Sequence, residues 1–112
     1  MRFLFVVLAA LAALPCSAQQ SAVWERQHLG DYTSEPGEAL PDFLKRAGVA
    51  LHDFTRQSGN EACGAIARNG RRFAFRLYTD CVPHGCSIRT SDVPDGFAYT
   101  GETLHSHPWQ KY

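Results

Sequence analysis

Ala62-Cys63-Gly64-Ala65-Ile66-Ala67-Arg68, then Asn69-Gly70, then Arg71-Arg72-Phe73-Ala74-Phe75-Arg76-Leu77-Tyr78-Thr79 is the stretch that decides the fold. Asn-Gly between two strand-like segments is a strong short-range signal for a β-hairpin. In the returning segment Phe73, Phe75 and Leu77 alternate with Arg72, Ala74, Arg76 and Tyr78. Alternate residues of a strand point to opposite faces, so one face belongs to a core and the other is mostly polar.

Upstream of the hairpin, Phe43, Leu44, Ala47, Ala50, Leu51 and Phe54 recur at helical spacing and predict a helix over Pro41 to Gln57. Pro41 suits the first turn, and Gly59 suits the left-handed stop after the last. His52 and Asp53 fall off the apolar stripe and are expected in solvent. Residues 19–39 read as a polar, extended lead-in, with Trp24 and Tyr32 docking on the domain. Downstream, residues 80–96 form a loop rich in Pro, Gly, Asp and Ser. Phe97 to Thr100 begins a strand that breaks at Gly101, and Glu102 to His107 is a final strand stopped by Pro108. Helix, hairpin, loop and strand together predict an α+β domain.

The N-terminus bears on location. Arg2 precedes an unbroken apolar run from Phe3 to Leu14, followed by Pro15-Cys16-Ser17-Ala18. This is the pattern of a secretory signal peptide over residues 1–18, cleaved after Ala18. The run is too short to span a bilayer, which takes about 20 apolar residues. The lesser alternatives are an uncleaved anchor and a lipid anchor on Cys16, the latter disfavoured because Pro15 stands where lipoprotein signals carry a small residue. The expected location is periplasmic or secreted, with no transmembrane span in the mature chain.

The 112-residue chain has 11 Lys plus Arg against 11 Asp plus Glu, so its net charge is zero. Without a basic stripe, nucleic acid is excluded as an expected partner. One domain is all this length accommodates. Cleavage after Ala18 leaves Cys63, Cys81 and Cys86. Cys81 and Cys86 flank the turn-forming Val82-Pro83-His84-Gly85, which favours a local Cys81–Cys86 bridge with Cys63 a buried thiol. Pairing of Cys63 with either of the others is the alternative. The Cys81, His84, Cys86 trio reads as a disulfide loop with an exposed His rather than as a metal site.

Two histidines remain, in His105-Ser106-His107-Pro108, with Glu61 far upstream at the head of the hairpin. Side chains at i and i+2 of a strand share a face, so the two imidazoles can converge on one metal ion. The alternative is that both are ordinary edge-strand residues and Glu61 a solvated carboxylate.

At Glu61-Ala62-Cys63-Gly64 and His105-Ser106-His107-Pro108 the chain resembles the JAB/MPN domain, the family of JAMM zinc metalloproteases, in its exported bacterial form. The resemblance covers residues 40–112. It implies a JAB/MPN-like mixed sheet with a preceding helix and a β-hairpin. It implies zinc held by His105 and His107, Glu61 as general base, and a hydrolase that cleaves an amide or isopeptide bond in a peptide or cell-wall substrate. Ser106 faces away from the ligands and is given no catalytic role.

The family pattern also places a Ser and an Asp ligand several residues past the histidines, and Pro108 to Tyr112 contains neither. The resemblance therefore implies a partial domain lacking its C-terminal part, weak zinc binding and impaired catalysis. Asp80, Asp92, Asp95 and Glu102 are the substitute ligands the sequence offers. A partial domain is expected to leave the Phe73/Phe75/Leu77 face uncovered, with self-association as the consequence. The competing function is a non-catalytic exported binding domain or degenerate remnant.

Overall fold

The computed structural model describes Cys16 and residues 26–108. The apolar run, the expected cleavage point at Ala18, and Trp24 lie outside the described residues. The architecture is α+β. One helix, α1 (Leu40–Ser58), packs on a four-stranded antiparallel sheet of β1 (Gln27–Thr33), β2 (Ala62–Asn69), β3 (Arg72–Thr79) and β4 (Ala98–His105). The strand order is β1-β3-β2-β4, so the hairpin forms the centre of the sheet and the outer strands its edges.

α1 begins with Pro in its first turn and ends at Gly59, whose φ of 74° gives the left-handed cap. Phe43, Ala47, Leu51 and Thr55 are buried at four-residue intervals. They meet Ala62, Ile66, Phe75 and Leu77 from the sheet, with Leu44, Phe54 and Phe73 packed around them. The apolar face of β3 is thus covered by α1, contrary to the expectation of an exposed face. Val49 is the one exposed large hydrophobic residue among those described.

Three features differ from their sequence expectations. The lead-in contains a strand, since β1 pairs with β3 from Gln27↔Thr79 to Thr33↔Ala74, and Tyr32 packs against the core. Its polar sequence, with Gly30 and Asp31, hid this because an edge strand buries little of itself. β4 is also one continuous strand. Gly101, at φ 94°, makes a bulge instead of a break. Only glycine adopts that backbone without strain, and the extra residues there leave Tyr99 and Thr103 in pairing with Ala67 and Ala65. The hairpin turn is Gly70-Arg71, one residue beyond the expected Asn69-Gly70, because Asn69 still pairs with Arg72.

The second face of the sheet is covered by the 80–97 segment. Cys63, Ala65 and Ala67 point that way, opposite Ala62 and Ile66, and all three are buried. Cys63 is bonded to Cys86, and Cys16 to Cys81. The favoured Cys81–Cys86 bridge is therefore wrong. Strand alternation turns Cys63 toward the covering segment, where Cys86 meets it, and Cys81 is left to the N-terminal Cys16. Asp80 is buried but satisfied, accepting bonds at 2.7 Å from both the N–H and the hydroxyl of Ser87. Arg26 lies 3.5 Å over the Tyr78 ring and pairs with Asp92, tying the segment's far end to the sheet.

The Cys63–Cys86 bond spans 23 residues. A loop of that size is worth about 3 kcal/mol by unfolded-chain entropy. The Cys63→Ala/Cys86→Ala variant should lose about that much in a urea melt, through a lower midpoint.

At the surface, Arg46 makes a two-pronged contact with Glu38, and the Glu35 N–H adds a third bond. The guanidinium first, then that N–H, lowers the Glu38 carboxyl from 4.5 to about 2. A depressed carboxyl stabilises the fold above its unfolded value and stops doing so as pH falls through its folded one. Between pH 4.5 and about 2, Glu38→Gln should therefore show a shallower loss of melting temperature than the parent chain. Salt should shrink the difference, because the pair is on the surface.

Candidate metal centre

The two halves of the centre meet through the β2–β4 pairing. Cys63 lies opposite His105. One step further, the Ser106 N–H donates to the Ala62 carbonyl at 2.9 Å, which brings Glu61 beside His107. Alternation then turns Glu61, His105 and His107 to one side and Ser106 to the other.

Glu61 Oε1 lies 3.7 Å from Nδ1 of His105 and 3.8 Å from Nδ1 of His107. One donor atom from each residue falls within 4.8 Å of the other two. The imidazole rings sit edge to face with centroids 4.6 Å apart. The carboxylate side chain is only 9% exposed, while the imidazoles are 57% and 53% exposed. The carboxylate thus forms a floor and the imidazoles an open rim.

This donor set fits a metal ion. Tetrahedral bonds of 2.0–2.1 Å put neighbouring ligand atoms about 3.3–3.4 Å apart, and the observed oxygen–nitrogen separations exceed that by only a few tenths of an ångström. Two neutral imidazoles and one carboxylate are ordinary ligands for divalent zinc, iron or manganese. The group can hold a metal ion.

The backbone around the three residues is held on several sides. The Glu61 N–H donates to the Val82 carbonyl at 3.0 Å, and the Thr79 hydroxyl donates to the Glu61 carbonyl at 2.7 Å. Thr79 is wholly buried. Ser106 Oγ accepts the Ala62 N–H at 3.0 Å and forms a close hydroxyl contact with Thr55 of α1. Ser106, the residue between the histidines, therefore locks the end of β4 to both β2 and the helix.

Thr55 and Thr79 complete this arrangement without belonging to any motif in the sequence. Thr55 carried a signal, because it continues the four-residue series of Phe43, Ala47 and Leu51 and places a hydroxyl on a buried stripe. Of the four carboxylates considered as further ligands, none joins the group among the described residues. Asp80 is engaged by Ser87 and Asp92 by Arg26. Glu102 sits on the β4 bulge and Asp95 in the covering segment. His84 is exposed in the 80–97 segment, and its two flanking cysteines are committed to separate disulfides.

A cavity of about 360 Å³ lies next to the group, lined by His52, Thr55, Arg56, Gly59, His107 and Pro108. No family model, curated protein or solved structure matches the chain.

Proposed function

We propose that the chain is an exported zinc-dependent hydrolase of amide bonds, acting on a peptide or cell-wall amide in the manner of the JAB/MPN metalloproteases it resembles. One observation carries this reading: Glu61 Oε1 is nearly equidistant from the two imidazole nitrogens of His105 and His107. Two disulfides are in keeping with an oxidising compartment. No helix among the described residues is long and apolar enough to cross a membrane.

In this reading His105 and His107 hold the metal through their neutral nitrogens. When bound there, zinc supplies Lewis acidity toward a carbonyl oxygen and toward water. Glu61 accepts a proton at its carboxylate and returns it to the departing amine. The exposed imidazole rim leaves room for an extended substrate.

Glu61→Gln separates the two roles that its position permits. As a base, the glutamine variant keeps zinc affinity within a few-fold and loses hydrolysis by about 100-fold or more. As a third ligand, it loses both. Calorimetric zinc titration, followed by a peptide-cleavage assay on the same samples, reads the two outcomes. Zinc binding with no cleavage of any peptide by the unaltered chain would instead favour a metal-binding module without catalysis.

A further inference from the structure

The cavity beside the metal group has a feature the proposed chemistry does not use. Its helix wall carries His52 and Arg56, four residues apart and therefore on one side of α1. Neither has a hydrogen-bond or ion-pair partner among the described residues, whereas Arg26, Arg46 and Arg76 are each paired with a carboxylate. The cavity's opposite wall is His107 and Pro108. No carboxylate is among the lining residues, and the nearby Glu61 turns its oxygen toward the imidazoles.

Arg56 stands in the last turn of α1, where a cation offsets the exposed carbonyls. That position accounts for a positive charge. It does not account for a second nitrogenous side chain one turn earlier, or for the open cleft that both share with a metal-group histidine. A guanidinium offers a planar fork of donors suited to carboxylate, and His52 adds another donor. The cleft is open to solvent and at the small end of ligand pockets, with room for one side chain and adjoining backbone.

We propose that this cavity is an anion-selective subsite that takes the carboxylate of an acidic residue next to the bond presented to the metal. The substrate class is then an acidic peptide, with Arg56 the chief specificity residue and His52 its support. This rests on the metallopeptidase reading for the bond that is cut, but not for the binding of the anion.

The test uses the whole chain and two probes, N-acetyl-Gly-Asp-amide and its neutral twin N-acetyl-Gly-Asn-amide. Binding is followed by amide chemical shifts, with and without zinc. The acidic probe should bind at least about tenfold more tightly than the neutral one, as expected for a charge-assisted pair. Arg56→Gln should erase that preference, His52→Gln should weaken it, and Arg71→Gln, on the hairpin turn, should leave it unchanged. A thermal scan of each variant checks folding.

Equal binding of the two probes, no binding of either, or a preference that survives in a folded Arg56→Gln chain would overturn the proposal. Zinc titration of the same samples keeps the two readings apart. A chain that prefers the acidic probe but binds no zinc retains the anion subsite and loses the peptidase. A chain that binds zinc without the preference does the reverse.

Discussion

Gly64→Ala should leave the chain without a cooperative melting transition. A Cβ built on Gly64 falls 2.2 Å from the carbonyl oxygen of Arg76 and 2.6 and 2.8 Å from two carbons of the Phe75 ring. The oxygen is backbone of the central neighbouring strand, so it cannot rotate away. Phe75 is wholly buried, so its ring has no open solvent to swing into. Relief requires β2 and β3 to separate, which strips the core of its two middle strands. Overpacking ordinarily costs about 1–3 kcal/mol, and a clash with backbone in the centre of a sheet belongs above that range. Total stability for a domain of this size is about 5–15 kcal/mol, so most of it is at risk. Near-ultraviolet dichroism and a thermal scan would read the loss. Gly48→Ala is the control, because nothing lies within 4 Å of its Cβ position. In a helix interior that change should stabilise by up to about 1 kcal/mol. A Gly64→Ala chain that melts like its parent would show that the strands part more readily than this packing allows.

His105→Ala and His107→Ala should each lower zinc affinity by more than about 100-fold, since even outer partners of metal ligands are worth 10–100-fold. The argument is one of donor count. Three donors are gathered among the described residues, and each histidine is one of them. Removing either leaves a single imidazole beside a nearly buried carboxylate, which is too little to hold the ion whether Glu61 serves as base or as ligand. The same experiment has a readout in stability. The donors come from segments 44 residues apart and meet only when β4 is docked on β2. A metal that binds the folded chain alone raises its stability by about 2.7 kcal/mol at one hundred times its dissociation constant. Zinc should therefore raise the melting temperature of the parent chain and leave both alanine variants unmoved. An equal zinc-induced rise in all three would place the metal elsewhere.

How much of this could be read in the sequence depended on the range of the interactions. The helix and hairpin are local patterns, and their periodicity, Pro41, Gly59 and the Asn-Gly signal sufficed. That His105 and His107 share a face followed from strand alternation, whereas their grouping with Glu61 rested on the likeness to the JAB/MPN pattern, because nothing local pairs β4 with β2. The β1 strand was hidden because its partner, β3, lies more than forty residues away and its own residues are polar. The disulfides were hidden for a related reason. The short Val82–Gly85 spacer made Cys81 and Cys86 look like partners, whereas the segment crosses the sheet and brings Cys86 over Cys63. The small residue at Gly64 was visible, but the approach of the Arg76 carbonyl that demands it was not. Thr55 looked like an ordinary helix residue until Ser106 arrived beneath it.

The bond between Cys16 and Cys81 makes the order of two maturation events matter. If export cleaves the chain after Ala18, scission cuts the backbone but not the sulfur link. Cutting before oxidation releases the leader and leaves Cys81 as a thiol, one residue from the Val82 carbonyl that holds Glu61. Oxidation before cutting yields a two-piece molecule in which the severed leader stays tethered through Cys81. The two histories differ by the mass of a short apolar peptide, released only when a reductant is added.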